Sequence, residues 1–163
     1  MYRSKDFEYM KVVDPSGKSL GSVKDLLIDF HNSELKGVQI SSMSLFSRSQ
    51  QVQVKDIISI NKVMIVNGIS KGDFLSFKIL KDMEVYNGRG ELLGVIEDLL
   101  IDKRTFSVNG IIISSGLIHK LIYGKSIILP KSCILAEDFL IHIGDERRIK
   151  LLSLPHKGRK EVK

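Results

Sequence analysis

The sequence predicts an all-β chain, built as two tandem small barrels of short antiparallel strands and followed by a basic C-terminal tail. Three observations carry this expectation. The chain has 163 residues, 43% of them hydrophobic and 27% charged, a globular composition with length for one ordinary domain or two small ones. The phrase GKSLGSVKDLLID, from Gly17 to Asp29, returns as GELLGVIEDLLID from Gly90 to Asp102. Around both copies lie short runs of Val, Ile and Leu bounded by Gly, Asn, Asp or Ser, and no helical period of ordinary length competes with them.

The repeat extends well beyond the phrase. An offset of 73 residues places Met10 on Met83, Val12 on Val85, Leu20-Gly21 on Leu93-Gly94, Gly37 on Gly110 and Ile40-Ser41-Ser42 on Ile113-Ser114-Ser115. After a three-residue length difference in the next loop, Lys55 to Ile58 aligns with Lys131 to Ile134, and Val63 to Gly68 with Phe139 to Gly144. Solenoid units are about 20 to 50 residues long, so this longer period is the mark of a duplicated domain. Asn67 to Asp73, rich in turn formers, reads as the linker. The predicted units are residues 1–69, residues 70–144 and a tail at 145–163. Domains of this size bury little core, so the halves are expected to dock on each other.

In the first copy the strands are expected at Met10–Val13, Leu20–Phe30, Lys36–Ser41, Gln51–Val54 and Val63–Val66. Asp14-Pro15-Ser16-Gly17 and Asn87-Gly88-Arg89-Gly90 read as hairpin turns. Alternation puts Val23, Asp25 and Leu27 on one strand face, and Ile96, Asp98 and Leu100 on the matching one. Lys24 and Glu97 lie opposite, where a change of charge sign is tolerated if the position is solvated. Small units of such strands bury one face most readily by curling into a barrel.

Each repeated polar or glycine position has an architectural reading. Gly17 and Gly90 suit positive φ in the turns, and Gly21 and Gly94 suit a bulge where a tight sheet bends. Asp29 and Asp102 end apolar runs, where a carboxylate accepts turn amides. Asp25 and Asp98 sit among apolar neighbours, so they must be hydrogen-bonded, and backbone donors of an adjacent loop are expected to do it.

The pattern Val-x4-Gly-x2-Leu-Gly-x-(Val/Ile)-x-Asp-Leu-Leu-Ile-Asp, then a turn, a Gly and an apolar strand, resembles the PRC-barrel domain. That family includes the cytoplasmic domain of the photosynthetic reaction-centre H subunit and the C-terminal domain of the ribosome-maturation factor. The resemblance covers about Arg3 to Asn67 and Phe74 to Gly144, and it implies a small all-β barrel that acts as a binding adaptor without catalytic residues. Neither a span like that of the H subunit nor an N-terminal domain like that of the ribosome factor is read in this sequence, so neither function is expected to transfer directly.

Several chemistries are disfavoured by the residues themselves. The opening MYRSKDFEYMKV has no apolar signal-peptide core, and no apolar run approaches the roughly 20 residues of a membrane helix, so a cytoplasmic protein is expected. Equivalent aspartates in equivalent surroundings do not form an acid/base pair, whose members need different environments. No enzyme activity, cofactor or metal is expected. The glycine-rich run from Gly88 to Gly94 leads into a strand, not the helix a dinucleotide site needs. Asp29, His31 and Glu34 look like metal ligands, but the second copy has Arg104 and Ser107 at the latter two positions. Cys133 matches Ile57 and reads as a small buried apolar residue; His119, His142 and His156 share no motif.

Function is sought where the copies differ. The loops after the matched strands carry large apolar residues, with Leu45, Phe46 and Arg48 in the first half and Leu117, Ile118, Leu121, Ile122 and Tyr123 in the second. Such clusters mark association surfaces, or else cap the barrels and pack between them. The net charge of +6 is concentrated at the end, where seven cations, Arg147, Arg148 and Lys150 among them, face three acids. The expected function is a noncatalytic adaptor for a protein partner, a second copy of the chain included. The alternative is an RNA- or ribosome-associated factor that uses the tail, which could equally bind an anionic membrane surface or merely solubilise. DNA binding is not expected.

Overall fold

The computed structural model describes residues 1–41, 50–114, 125–144 and 149–151. Its first half runs through β1 (Tyr2–Arg3), a 3-10 turn at Ser4–Asp6, β2 (Lys11–Val13), β3 (Ser19–Asp29), β4 (Glu34–Ser41) and β5 (Gln50–Gln53). A second 3-10 turn at Val54–Asp56 leads to β6 (Ile57–Ile60) and β7 (Val63–Val66). The second half repeats the series as β8 (Leu75–Ser76), α1 (Phe77–Leu80), β9 (Glu84–Asn87), β10 (Leu92–Ile101), β11 (Val108–Ser114) and β12 (Lys125–Ile128). Then come a 3-10 turn at Pro130–Ser132, β13 (Cys133–Leu135), β14 (Phe139–His142) and β15 (Ile149–Leu151).

Two curled sheets result, with matched strand orders β6-β7-β2-β3-β4-β5 and β13-β14-β9-β10-β11-β12, the latter extended by β15. The all-β, two-barrel expectation is met. One detail differs: β7 returns beside β2 in parallel, as β14 does beside β9, so the sheets are not wholly antiparallel. The 3-10 turns at Val54–Asp56 and Pro130–Ser132 join β5 to β6 and β12 to β13, ahead of that return. Ile149–Leu151, inside the stretch read as a tail, pairs antiparallel with β12.

The repeated residues have local causes that can be seen in both copies. In the β2–β3 turn the Asp14 carboxylate accepts the amides of Ser16 and Lys18 at 2.9 and 3.0 Å, and Gly17 follows at φ +87°. Asn87 does the same for Arg89 and Glu91 at 3.0 and 2.9 Å, with Gly90 at φ +79°. Gly21 and Gly94, at φ +143° and +141°, sit beside register shifts of the first hairpin in each half. A Cβ on Gly94 would lie 2.4 Å from the Ser114 carbonyl oxygen, so only glycine fits the bend.

One hydrophobic cluster spans the molecule, taking Val12, Val23, Leu26, Val38 and Met64 from the first half and Val85, Ile96, Leu99, Ile111 and Leu140 from the second. The halves are also joined by backbone. β1 extends the second sheet, pairing Tyr2 with Ile101 and Arg3 with Leu100, and β8 extends the first, pairing Ser76 with Leu27 and Leu75 with Ile28. The exchange is reciprocal: each copy's leading strand adds to the other copy's longest strand. Between these strands the Leu35 amide donates to the Phe106 carbonyl at 2.9 Å, and the Val108 amide to the Ser33 carbonyl at 2.7 Å. Ser33 and Phe106, matched by the offset, are at φ +54° and +57°, which makes this junction a pseudo-two-fold contact.

Candidate functional site

The repeated aspartates lie at the junction because of a bulge. The β3–β4 register jumps between Val23 and Asp25, and the β10–β11 register jumps between Ile96 and Asp98. An extra residue in a strand turns the following side chains to the opposite face. The core consequently takes Val23, Leu26 and Ile28, and Ile96, Leu99 and Ile101, in place of the regular alternation expected from sequence. Asp25 and Asp98 are turned away from their own barrel towards the other half's leading segment, and both remain buried, at 7% and 4% exposure.

Their hydrogen bonds come mainly from that segment. Asp98 Oδ1 accepts the Ser4 amide at 2.8 Å, the Ser4 hydroxyl at 2.6 Å and the Leu99 amide at 2.8 Å. Its Oδ2 accepts Arg3 Nε at 2.8 Å and pairs with Arg3 Nη2 at 2.7 Å. Asp25 accepts the Leu26 amide at 2.8 Å and the Ser76 hydroxyl. The expectation of adjacent-loop backbone donors is therefore corrected. Among the described residues only Ser4 supplies such an amide, and the remaining inter-half donors are side chains that the offset does not repeat: Arg3 matches Ser76, and Ser4 matches Phe77.

Beside Asp25 the junction opens into a cleft. Phe7, Val23, Leu26 and Phe77 contribute its apolar surface, and Lys24, Lys78, Lys81 and Glu8 also line it. A neighbouring depression shares Glu8, Val23, Lys24 and Lys78 and leads past Ser22 and Ser41 to Tyr9, whose side chain is 84% exposed. Sequence reading missed this site. Lys24 and Lys78 are far apart in the chain, and only the strand exchange brings α1 against β3.

Other predicted positions resolve as follows. Asp29 accepts the Asn32 amide at 3.0 Å and its side-chain nitrogen at 2.8 Å, bonds that hold its carboxyl below the usual range. Asp102 accepts the amides of Thr105 and Arg104 at 2.9 and 2.8 Å and is lowered for the same reason. Lys36 Nζ lies 2.6 Å from Glu34 and 3.9 Å from Asp29, so the chain's own ammonium stands between these two carboxylates. Among the described residues no group of three His, Cys, Asp or Glu side chains could hold a metal ion. The run from Gly88 to Gly94 lies in the β9–β10 hairpin. Cys133 packs against the core, and burial pushes its thiol up to about 12, far from a thiolate nucleophile. Lys24 is exposed while Glu97 is half-buried.

The apolar loop candidates Leu45, Phe46, Arg48, Leu117, Ile118, Leu121, Ile122 and Tyr123, and Arg147 and Arg148 of the tail, lie outside the described residues. Lys150 lies in β15, its backbone in register with Ser126. Among the described residues no helix is long and apolar enough to cross a membrane.

Two curled sheets of matched order, each built on a long bulged strand and joined by their leading strands, define a duplicated small-barrel protein. The family model for the PRC-barrel domain matches residues 1–73 and again residues 72–151, and the chain belongs to that family. No curated protein matches it.

Proposed function

We propose that the chain is a noncatalytic adaptor that docks a partner protein on its paired barrels in the cytoplasm. One observation carries the reading: the chemically capable groups that the two copies repeat are occupied by architecture. Asp25 and Asp98 hold the halves together, and Asp29 and Asp102 hold turns. Membership of a family of small noncatalytic barrels supports the same reading. What the copies do not share, their loops, their cleft and the charged end, is left for association.

Affinity purification of the native complex, from full-length protein and from protein lacking residues 145–163, tests this. The adaptor reading expects a protein recovered in fixed proportion that survives raised salt and loss of the tail. Recovery of RNA alone, with binding that weakens steeply as salt is added, would replace it with the RNA-associated alternative.

A further inference from the structure

The two halves serve as controls for each other. Matched positions share a backbone down to their unusual torsions, with Tyr9 and Asp82 at φ +59° and +66°. A side chain that the frame requires is repeated, as the glycines and aspartates are, whereas one that only the surface uses is free to diverge. Charge diverges at the junction cleft. Lys24, Lys78 and Lys81 meet there with Glu8; the matched positions hold Glu97, Lys5, Glu8 and Lys81. With Asp25 the cleft has three lysines against two carboxylates; Lys78 is repeated as Lys5, Glu8 and Lys81 match each other, and Lys24 against Glu97 is the change of sign.

The neighbouring aspartates diverge in the opposite sense, which leaves the three lysines as the cleft's excess charge. Asp98 is neutralised by Arg3, whereas Asp25 receives a hydroxyl, from Ser76. Among the described residues Lys24, Lys78 and Lys81 make no ion pair, and all three are exposed. Three like charges around a partly apolar hollow repel one another and raise its positive potential until an anion enters. Phe7, Val23, Leu26 and Phe77 line the cleft but are buried in the core, whereas Tyr9 and Ile79, 84% and 60% exposed, add a second demand, for hydrophobic surface.

Resting on the adaptor reading, we propose that this cleft docks an acidic-apolar segment of the partner protein. Carboxylates meet Lys24, Lys78 and Lys81, and apolar side chains rest on the exposed Tyr9 and Ile79. A polypeptide places acidic and apolar groups at residue spacing along one strand, which suits a cleft with cationic and apolar walls. A nucleic acid carries its charge on a continuous phosphate backbone, and a lipid surface presents a broad anionic plane.

Fluorescence anisotropy on the full chain tests this, with labelled peptides that alternate Glu or Asp with Phe or Leu. Polyuridylate and phosphatidylglycerol vesicles serve as competing probes. The acidic-apolar peptides should bind the native protein, and K24E/K78E/K81E should weaken them by at least about tenfold, about 1.4 kcal/mol. K5E, changed at the position matched to Lys78, should bind as the native protein does. K24Q/K78Q/K81Q, which keeps the side-chain bulk and adds no repulsion, should still lose affinity if the charge-reversed variant fails to fold. No peptide binding, equal binding by the glutamine variant, or tighter binding of RNA or vesicles overturns the proposal. In the native purification, a partner retained by the glutamine variant removes this site alone, whereas absence of any protein partner removes the adaptor reading itself.

Discussion

Asp98 and Asp25 occupy matched places but not matched environments, and the difference is measurable. Removing the Asp98 carboxylate leaves the buried Ser4 amide and hydroxyl without their acceptor and Arg3 without its counter-charge. Asp98→Ala should therefore cost about 2–4 kcal/mol in urea unfolding, and Asp25→Ala about 1–2 kcal/mol, because Asp25 loses only its own neighbouring amide and one hydroxyl. Equal losses would mean that the Arg3 contact adds nothing. At Cys133 the raised thiol should react with iodoacetamide at pH 8 at least about a hundredfold more slowly than a free cysteine, and a rate like that of free cysteine would contradict its burial. Roles fixed within a few residues were legible in the sequence. Gly17 and Asp29 are explained by turns that their own neighbours form. The inter-half donors to Asp25 and Asp98 were not legible, because they arrive from about 50 and 95 positions away.

At the scale of the elements, the repeat itself announced β3 and β10, but not their faces. Alternation grouped Val23 with Asp25 and Leu27; the bulge regroups Val23 with Leu26 and Ile28, and a bulge is set by the register of the opposing strand. β1 and β8 span two residues each, too short for any period to show, and β6 was passed over although Ile57, Ile58 and Ile60 are apolar. The exchange makes a clear expectation. Deleting residues 1–6 removes β1 and both Arg3 and Ser4, so hydrogen exchange should accelerate at Leu99–Ile101 in the second half. Unchanged protection there would show that β1 contributes no stability to β10. The β10–β11 turn gives a pH test. Asp102 has a lowered carboxyl in the folded chain, so its stabilisation is present above the ordinary value of 3.8 and is lost as pH falls through the lower folded value. The stability difference between native protein and Asp102→Ala should be full at pH 7 and shrink in that acidic window, and a difference independent of pH would contradict it.

Across the whole molecule, the duplication, the barrel class and the family were legible in one sequence, because a doubled motif constrains both copies at once. The manner of joining was not. The small size of the halves predicts that they dock, as their shared core shows, but not that reciprocal strand exchange closes it. The central claim is that the repeated aspartates and leading strands bind the halves into one cooperative unit. Hydrogen exchange across a denaturant series, resolved by mass spectrometry into β3 and β10 peptides, tests it most directly. The account predicts that both peptides open at one denaturant concentration and that Asp98→Ala lowers both together. Separate openings in the native chain, or a shift confined to β10 in the variant, would contradict it.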